Sequence, residues 1–99
     1  MRYYLDMIRG FKCKETEKIF QRKPSRVFSP DILLRARKKL VMLDAATTLS
    51  DLKEPPSNHL EELQGRLKGR YSIRINDQWR ICFRWDIVEA TEVEIVDYH

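Results

Sequence analysis

The sequence predicts an α+β domain in which two helices pack on a small, mostly antiparallel sheet. Three observations carry this expectation. Residues 71–85, YSIRINDQWRICFRW, alternate apolar and polar side chains on both sides of a short polar turn. Residues 29–45 open with Ser-Pro-Asp and place Leu33, Ala36, Leu40 and Leu43 at helical spacing. Residues 92–98 alternate again, with Val93 and Ile95 against Glu94 and Val96. The order is strand, helix, helix, then several strands.

In chain order, residues 7–13 (MIRGFKC) are a short strand candidate with imperfect alternation: Met7, Arg9, Phe11 and Cys13 on one face, Ile8, Gly10 and Lys12 on the other. Residues 14–21 read as a short helix with Thr16, Ile19 and Phe20 on one stripe. A basic connection interrupted by Pro24 follows. Ser29 is an N-cap serine, Pro30 suits the first turn, and Asp31 sits at the positive end of the helix dipole. Arg35, Lys38 and Lys39 lie off the apolar stripe of this helix, which runs to about residue 45. Residues 47–52 form a turn whose Leu49 and Leu52 close the core edge, and 55–58 (PPSN) an irregular link. Residues 60–64 are a strand candidate leading into the basic loop 65–70, GRLKGR. That loop is no nucleotide-binding fingerprint, because a strand rather than a helix follows it.

The hairpin register follows from keeping one face apolar. A two-residue turn would pair Arg74 with Trp79 and mix the faces. A three-residue loop, Asn76-Asp77-Gln78, pairs Ile75 with Trp79, Ile73 with Ile81 and Tyr71 with Phe83, and a buried face specifies register strongly. The other face then places Arg74 opposite Arg80 and Ser72 opposite Cys82. Like charges directly opposed are destabilising. Either the two arginines reach solvent or an acidic neighbour, or they form a site for an anion such as phosphate.

At 99 residues the chain is one domain, with Met7 a second candidate start that would leave residues 1–6 as an extension. No apolar run approaches the ~20 residues of a membrane span, and MRYYLD leads into no signal peptide. Cys13 and Cys82 have no metal-ligand spacing and read as reduced, which points to a cytoplasmic chain. The net charge of +4 is unevenly spread: residues 1–50 hold 12 Lys and Arg against 5 Asp and Glu, or +7, and residues 51–99 hold 7 against 10, or −3. Such a basic half faces a polyanion or an acidic partner, or is a solvated surface.

No zinc-type cluster and no nucleophile elbow is present, Ser72 has no evident base, and no cofactor is expected. Cys82 reads as a core cysteine, and His59, in its proline-flanked link, as exposed and idle. The chain ends in Asp97-Tyr98-His99, on a strand expected to lie beside the arginine face. One imidazole, one phenol and two or three arginines suit metal-independent cleavage of RNA. A base takes the 2′-OH proton, the oxygen attacks the adjacent phosphorus, an acid protonates the leaving oxygen, and arginines stabilise the phosphorane.

The segments MIRGFKCKETEKIF, KLVMLDAATTLSDL, YSIRINDQWRICF and EVEIVDYH together resemble the HigB group of the RelE-like toxins, the plasmid-maintenance killer proteins of bacterial type II toxin–antitoxin systems. The resemblance runs from Met7 to His99 and is most specific in INDQWRICF and VEIVDYH. It implies a RelE-like fold and a ribosome-dependent mRNA endoribonuclease that arrests translation and growth. It also implies a small helix-turn-helix antitoxin, HigA-like, through which alone the toxin meets operator DNA; no membrane partner is implied. Carried over by residue, it puts His99, Tyr98 and Arg80 in the active site, with Asp97 as an orienting neighbour and Arg74 as a phosphate contact. Arg66, Lys68 and Arg70 of the basic loop, Arg84 of the polar face, and Lys38 and Lys39 are the candidate RNA-binding cations. Two departures stand out: Gln64 where many relatives have lysine, and Glu61 where some have histidine. They imply a weaker toxin. The alternative is a ribosome- or RNA-binding inhibitor of the same fold that does not cleave.

Overall fold

The computed structural model describes residues 8–65, 69–86 and 89–97. Helix α1 spans Lys14–Phe20 and α2 Pro30–Ala45, followed by 3-10 turns at Leu49–Lys53 and Pro56–Asn58. Strands β1 (Glu61–Glu62), β2 (Arg70–Arg74), β3 (Trp79–Asp86) and β4 (Glu89–Asp97) form one antiparallel meander in the order β1-β2-β3-β4. The fold is α+β, two helices on a four-stranded sheet, as the pattern of elements predicts.

α2 begins where its cap chemistry requires. The Ser29 hydroxyl accepts from the Ile32 N–H at 3.4 Å, and Pro30 occupies the first turn. Its buried stripe is Ile32, Ala36, Leu40 and Leu43, with Leu33 only partly buried at the margin. The 47–52 segment closes as a 3-10 turn with a capping box, in which Thr48 and Asp51 each satisfy the other's backbone N–H. This turn buries Leu52 and packs Leu49 against the core.

The β2–β3 register is the one that keeps a single apolar face: Tyr71 opposes Phe83, Ile73 opposes Ile81, Ser72 opposes Cys82 and Arg74 opposes Arg80. Ile73, Ile81 and Phe83 are fully buried, and Tyr71 stacks on Phe83 with centroids 6.2 Å apart. Asn76 closes the turn by accepting from the N–H groups of Gln78 and Trp79. Trp79 meets Phe28 edge-on at 5.1 Å, tying the hairpin to the connection before α2.

β4 begins three residues earlier than alternation suggests, at Glu89, because a bulge interrupts its pairing with β3 between Cys82 and Arg84. Glu92 sits in the bulge with φ of 51°, the left-handed region. The extra residue reverses the alternation, so Ala90 and Val93, an odd number of positions apart, are both fully buried. A strict period of two could not have revealed this.

Met7 lies outside the described residues, and over 8–13 the expected strand is reduced to isolated parallel bridges, Ile8 with Ala90 and Phe11 with Val93. Ile8 is buried and Phe11, from the other expected face, packs partly against the core. The segment instead shields the outer edge of β4, where Lys12 N–H donates to the Val93 carbonyl and Arg9 N–H to the Ala90 carbonyl. Thr16 completes that cover. It is fully buried, and its hydroxyl accepts from the Ile95 N–H at 3.0 Å. The 60–64 strand shrinks to Glu61–Glu62. Among the described residues no helix is long and apolar enough to cross a membrane.

Candidate functional site

The sheet's second face carries Arg70 opposite Arg84, Ser72 opposite Cys82, and Arg74 opposite Arg80. The four arginines have different surroundings, and these decide what each one does.

Arg80 is 6% exposed. Its Nε donates to the Ser72 hydroxyl at 2.8 Å, and its Nη2 donates to the Ser72 carbonyl at 3.2 Å and to the His59 carbonyl. A guanidinium stays charged at all relevant pH, so burying it requires such acceptors. The sequence-based expectation has Arg80 turned toward RNA. Those bonds make it a clamp that fastens the 56–60 link to β2 and β3. His59 is exposed as a side chain but not idle, because its backbone supplies one jaw of that clamp.

Arg74 is relieved of the cross-strand repulsion by Asp77 of its own turn, with which it forms an ion pair. It also lines a cleft of ≈ 270 Å³ between α2 and the hairpin, together with Arg35, Lys38, Lys39, Met42 and Ser57. Burial, then the charges of Arg74 and Arg35, hold the Lys39 ammonium below the usual lysine range. Lys39 donates to the Asn58 side-chain oxygen. Asn58 is fully buried, and its amide nitrogen donates to the carbonyls of Leu52 at 3.1 Å and Glu54 at 3.2 Å. With its donors spent on backbone, Asn58 offers only oxygen to the lysine. The cleft therefore holds four cationic side chains, two of them paired with carboxylates, Arg74 with Asp77 and Arg35 with Asp31 at 4.0 Å, and an anion would relieve the repulsion that remains.

The far half of the same face is compensated. Arg70 pairs with Glu92, whose carboxyl is held below its usual range chiefly by that hydrogen bond. Lys12 pairs with Glu94 at 3.2 Å and Arg9 with Glu89 at 2.6 Å. Arg84 is exposed. Cys82 is a buried free thiol pushed up to about 11, by burial first and the Glu94 carboxylate second. Cys13 is also a free thiol, half-buried.

Asp97 is in register with Trp79, while Val96 is in register with Arg80. Alternation thus assigns Asp97 to the face of Ile95 and Trp79, and its carboxylate accepts from Gln78 Nε2 at 3.0 Å. Tyr98 and His99, expected to act on protons, and Arg66 and Lys68, expected to hold RNA, lie outside the described residues. Glu61 is in register with Ser72 and exposed, and Gln64 is exposed. Of the expected cations, the structure brings together Lys38, Lys39 and Arg74, and sets Arg70 and Arg84 apart. It adds Arg35, legible in sequence as an off-stripe residue of α2, and Ser57 and Asn58, for which the PPSN link carried no signal. Among the described residues no three His, Cys, Asp or Glu side chains are grouped to hold a metal ion.

Comparison with known proteins agrees with the architecture. Solved structures of similar fold include a YafQ variant from E. coli, with a TM-score of 0.63, 13% identity and coverage of 92% of this chain and 91% of that one. Another is the YoeB dimer from Staphylococcus aureus, with a TM-score of 0.56, 22% identity and coverage of 93% and 94%. Among curated proteins, Toxin HigB-1 of Vibrio cholerae is 43% identical over 76 residues, which is 76% of this chain and 80% of that protein. Endoribonuclease HigB of Proteus vulgaris is 28% identical over 93 residues, 94% of this chain and all of that protein. The family model describing the RelE-like toxin of type II toxin–antitoxin system HigB matches residues 9–99. With that match over nearly its whole length, the chain belongs to the HigB family of RelE-like toxins.

Proposed function

We propose that this toxin is an endoribonuclease that cuts mRNA on the ribosome and thereby arrests translation, and that a helix-turn-helix antitoxin neutralises it in the cytoplasm. The observation that carries the reading is the convergence of Arg35, Lys38, Lys39 and Arg74 on one cleft. A row of phosphates supplies the negative charge that this cleft lacks. The name of the Proteus vulgaris relative, an endoribonuclease, supports the same chemistry.

In this reading the cleft grips the RNA backbone, and Tyr98 and His99 act on protons. One group removes the 2′-OH proton, and the oxygen attacks the adjacent phosphorus. A 2′,3′-cyclic phosphate forms as the 5′ oxygen leaves with a proton from the other group. Neither step needs an oxidant or a second substrate. Imidazole, with an unperturbed pKa of ~6.5, serves as acid or base near neutrality. Arg80 acts as a positioning residue: it fixes the link that carries Ser57 and Asn58, and through Asn58 the Lys39 ammonium.

The test is a short pulse of expression with mapping of RNA ends, comparing wild type with Tyr98→Phe, deletion of His99, and the double variant Arg35→Ala/Lys38→Ala. New mRNA ends in wild type that vanish in all three variants support the reading. A translation block without new ends refutes cleavage and leaves a binding inhibitor. That second reading draws on the burial of Arg80, whose described bonds go to protein acceptors. If Gln64 weakens the toxin, Gln64→Lys increases cleavage and growth arrest; unchanged cleavage removes that idea.

A further inference from the structure

A second groove lies between α1 and α2. It measures ≈ 280 Å³ and is lined by Ile19, Leu33 and Leu34 with Arg22, Lys23 and Arg37. Its floor is apolar and its polar rim, among the described residues, is wholly cationic. Leu34 is 59% exposed, and Val41, two turns along α2, is 48% exposed. Arg37 stands between them, with its Nε buried and without a hydrogen-bond partner among the described residues. A buried N–H without an acceptor is unfavourable, so an acceptor that reaches it on docking would be well used.

Position on α2 separates this groove from the cationic cleft. At about 100° per residue, the buried stripe of Ala36, Leu40 and Leu43 runs down the middle of the packed face. Arg35, Lys39 and Met42 fall on one flank of that stripe, and Leu34, Arg37 and Val41 on the other. One helix thus presents a phosphate-suited flank and an apolar, cation-rimmed flank.

We propose that the α1–α2 groove is a docking site for the cognate antitoxin, which inserts an apolar side chain beside Leu34 and sets a carboxylate against Arg37. Charge decides among possible occupants. A second copy would bring another basic half, +7 over residues 1–50, against Arg22, Lys23 and Arg37, and like charges across an interface are costly. RNA would leave the Ile19–Leu33–Leu34 floor without apolar contact. An acidic, amphipathic peptide segment satisfies both floor and rim. Stable interfaces bury ~1,200–2,000 Å², so the groove is the anchor of a larger contact. Family membership supplies such a partner, since the matching family is one of type II toxin–antitoxin systems. The flank arrangement also lets antitoxin bind without occupying the Arg35–Lys39 side.

The experiment measures affinity of the purified chain for the purified cognate antitoxin by calorimetry. Leu34→Asp and Arg37→Glu are compared with wild type, with thermal melting and cleavage of mRNA on added ribosomes recorded for each. Leu34 is already exposed, so its substitution leaves the fold intact. Each variant is expected to bind antitoxin about 30-fold more weakly or worse, the scale of an interface hot spot, with cleavage on ribosomes unchanged and, for Leu34→Asp, melting unchanged as well. Arg37→Gln, which keeps a donor without the charge, is expected to fall between. Unchanged antitoxin affinity in both variants overturns the proposal. So does loss of self-association with antitoxin binding intact, which assigns the groove to a second copy, or loss of antitoxin binding in Lys38→Glu alone, which assigns the antitoxin to the cationic cleft. Wild type that binds antitoxin but cuts no mRNA on added ribosomes sinks the nuclease reading and leaves this docking site standing.

Discussion

Arg80 is the residue at which fold and chemistry are most easily confused, and its substitution separates them. Arg80→Met keeps the apolar stem and removes the guanidinium. Ser72 and the His59 carbonyl then lose a charged donor inside the protein. Hydrogen bonds to a charged group contribute ~1.5–3 kcal/mol each, and the relief of a buried charge offsets part of that sum. A net loss of about 3 kcal/mol follows for bonds of this kind. For a domain of this size each kcal/mol lowers Tm by ~4–8 °C, giving a fall of roughly 12–24 °C. Arg80→Lys keeps the charge but cannot serve Ser72 and His59 with one planar fork, and is expected to recover only part of the loss. Ser72→Ala removes the Nε acceptor alone and should cost about 1–2 kcal/mol. Calorimetric or circular-dichroism melting reads all three. If Arg80→Met melts within ~2 °C of wild type while toxicity disappears, the clamp is wrong and Arg80 contacts phosphate directly.

Three other expectations follow from named contacts. Thr16→Val keeps the shape of a fully buried side chain but strips the acceptor from the Ile95 N–H, so denaturant unfolding should show a loss of ~1–3 kcal/mol; an unchanged midpoint would mean that the β4 edge finds another acceptor. Lys39 titrates below the usual lysine range because burial and neighbouring cations disfavour its charged form, so affinity for a short RNA should fall as pH rises through that lowered value, before 10.5; bound RNA should raise the Lys39 value, read from the side-chain nitrogen by NMR, and no upward movement would separate Lys39 from the anion. Cys82, at about 11, holds only about one part in a thousand as thiolate at pH 8, so iodoacetamide should label Cys13 first under native conditions, as peptide mass spectrometry would show; prior labelling of Cys82 would contradict its burial.

What the amino-acid sequence determined by itself is local or periodic. The start of α2 is written in Ser29-Pro30-Asp31, because capping and proline geometry need no distant partner. The β2–β3 register is written in Ile73, Ile75, Trp79 and Ile81, because one misplaced residue would turn every apolar side chain to water. The family was legible in INDQWRICF and VEIVDYH. The α2 cations were legible as residues off the apolar stripe, but their shared cleft with Arg74 was not.

Only the tertiary structure decided what the charges do. Sequence places Arg74 and Arg80 side by side and is silent on acceptors. The fold brings the His59 carbonyl, 21 positions away, over Arg80, and leaves Arg74 beside Lys39. Sequence alternation likewise ran past the Glu92 bulge, which depends on β3 for its meaning: a residue is extra only relative to a partner strand. Burial, pairing and desolvation are properties of neighbours, and most neighbours in a folded chain are distant in sequence. That is why Arg80, an arginine expected to meet RNA, is buried, while Arg35, Lys38 and Lys39 line the cleft.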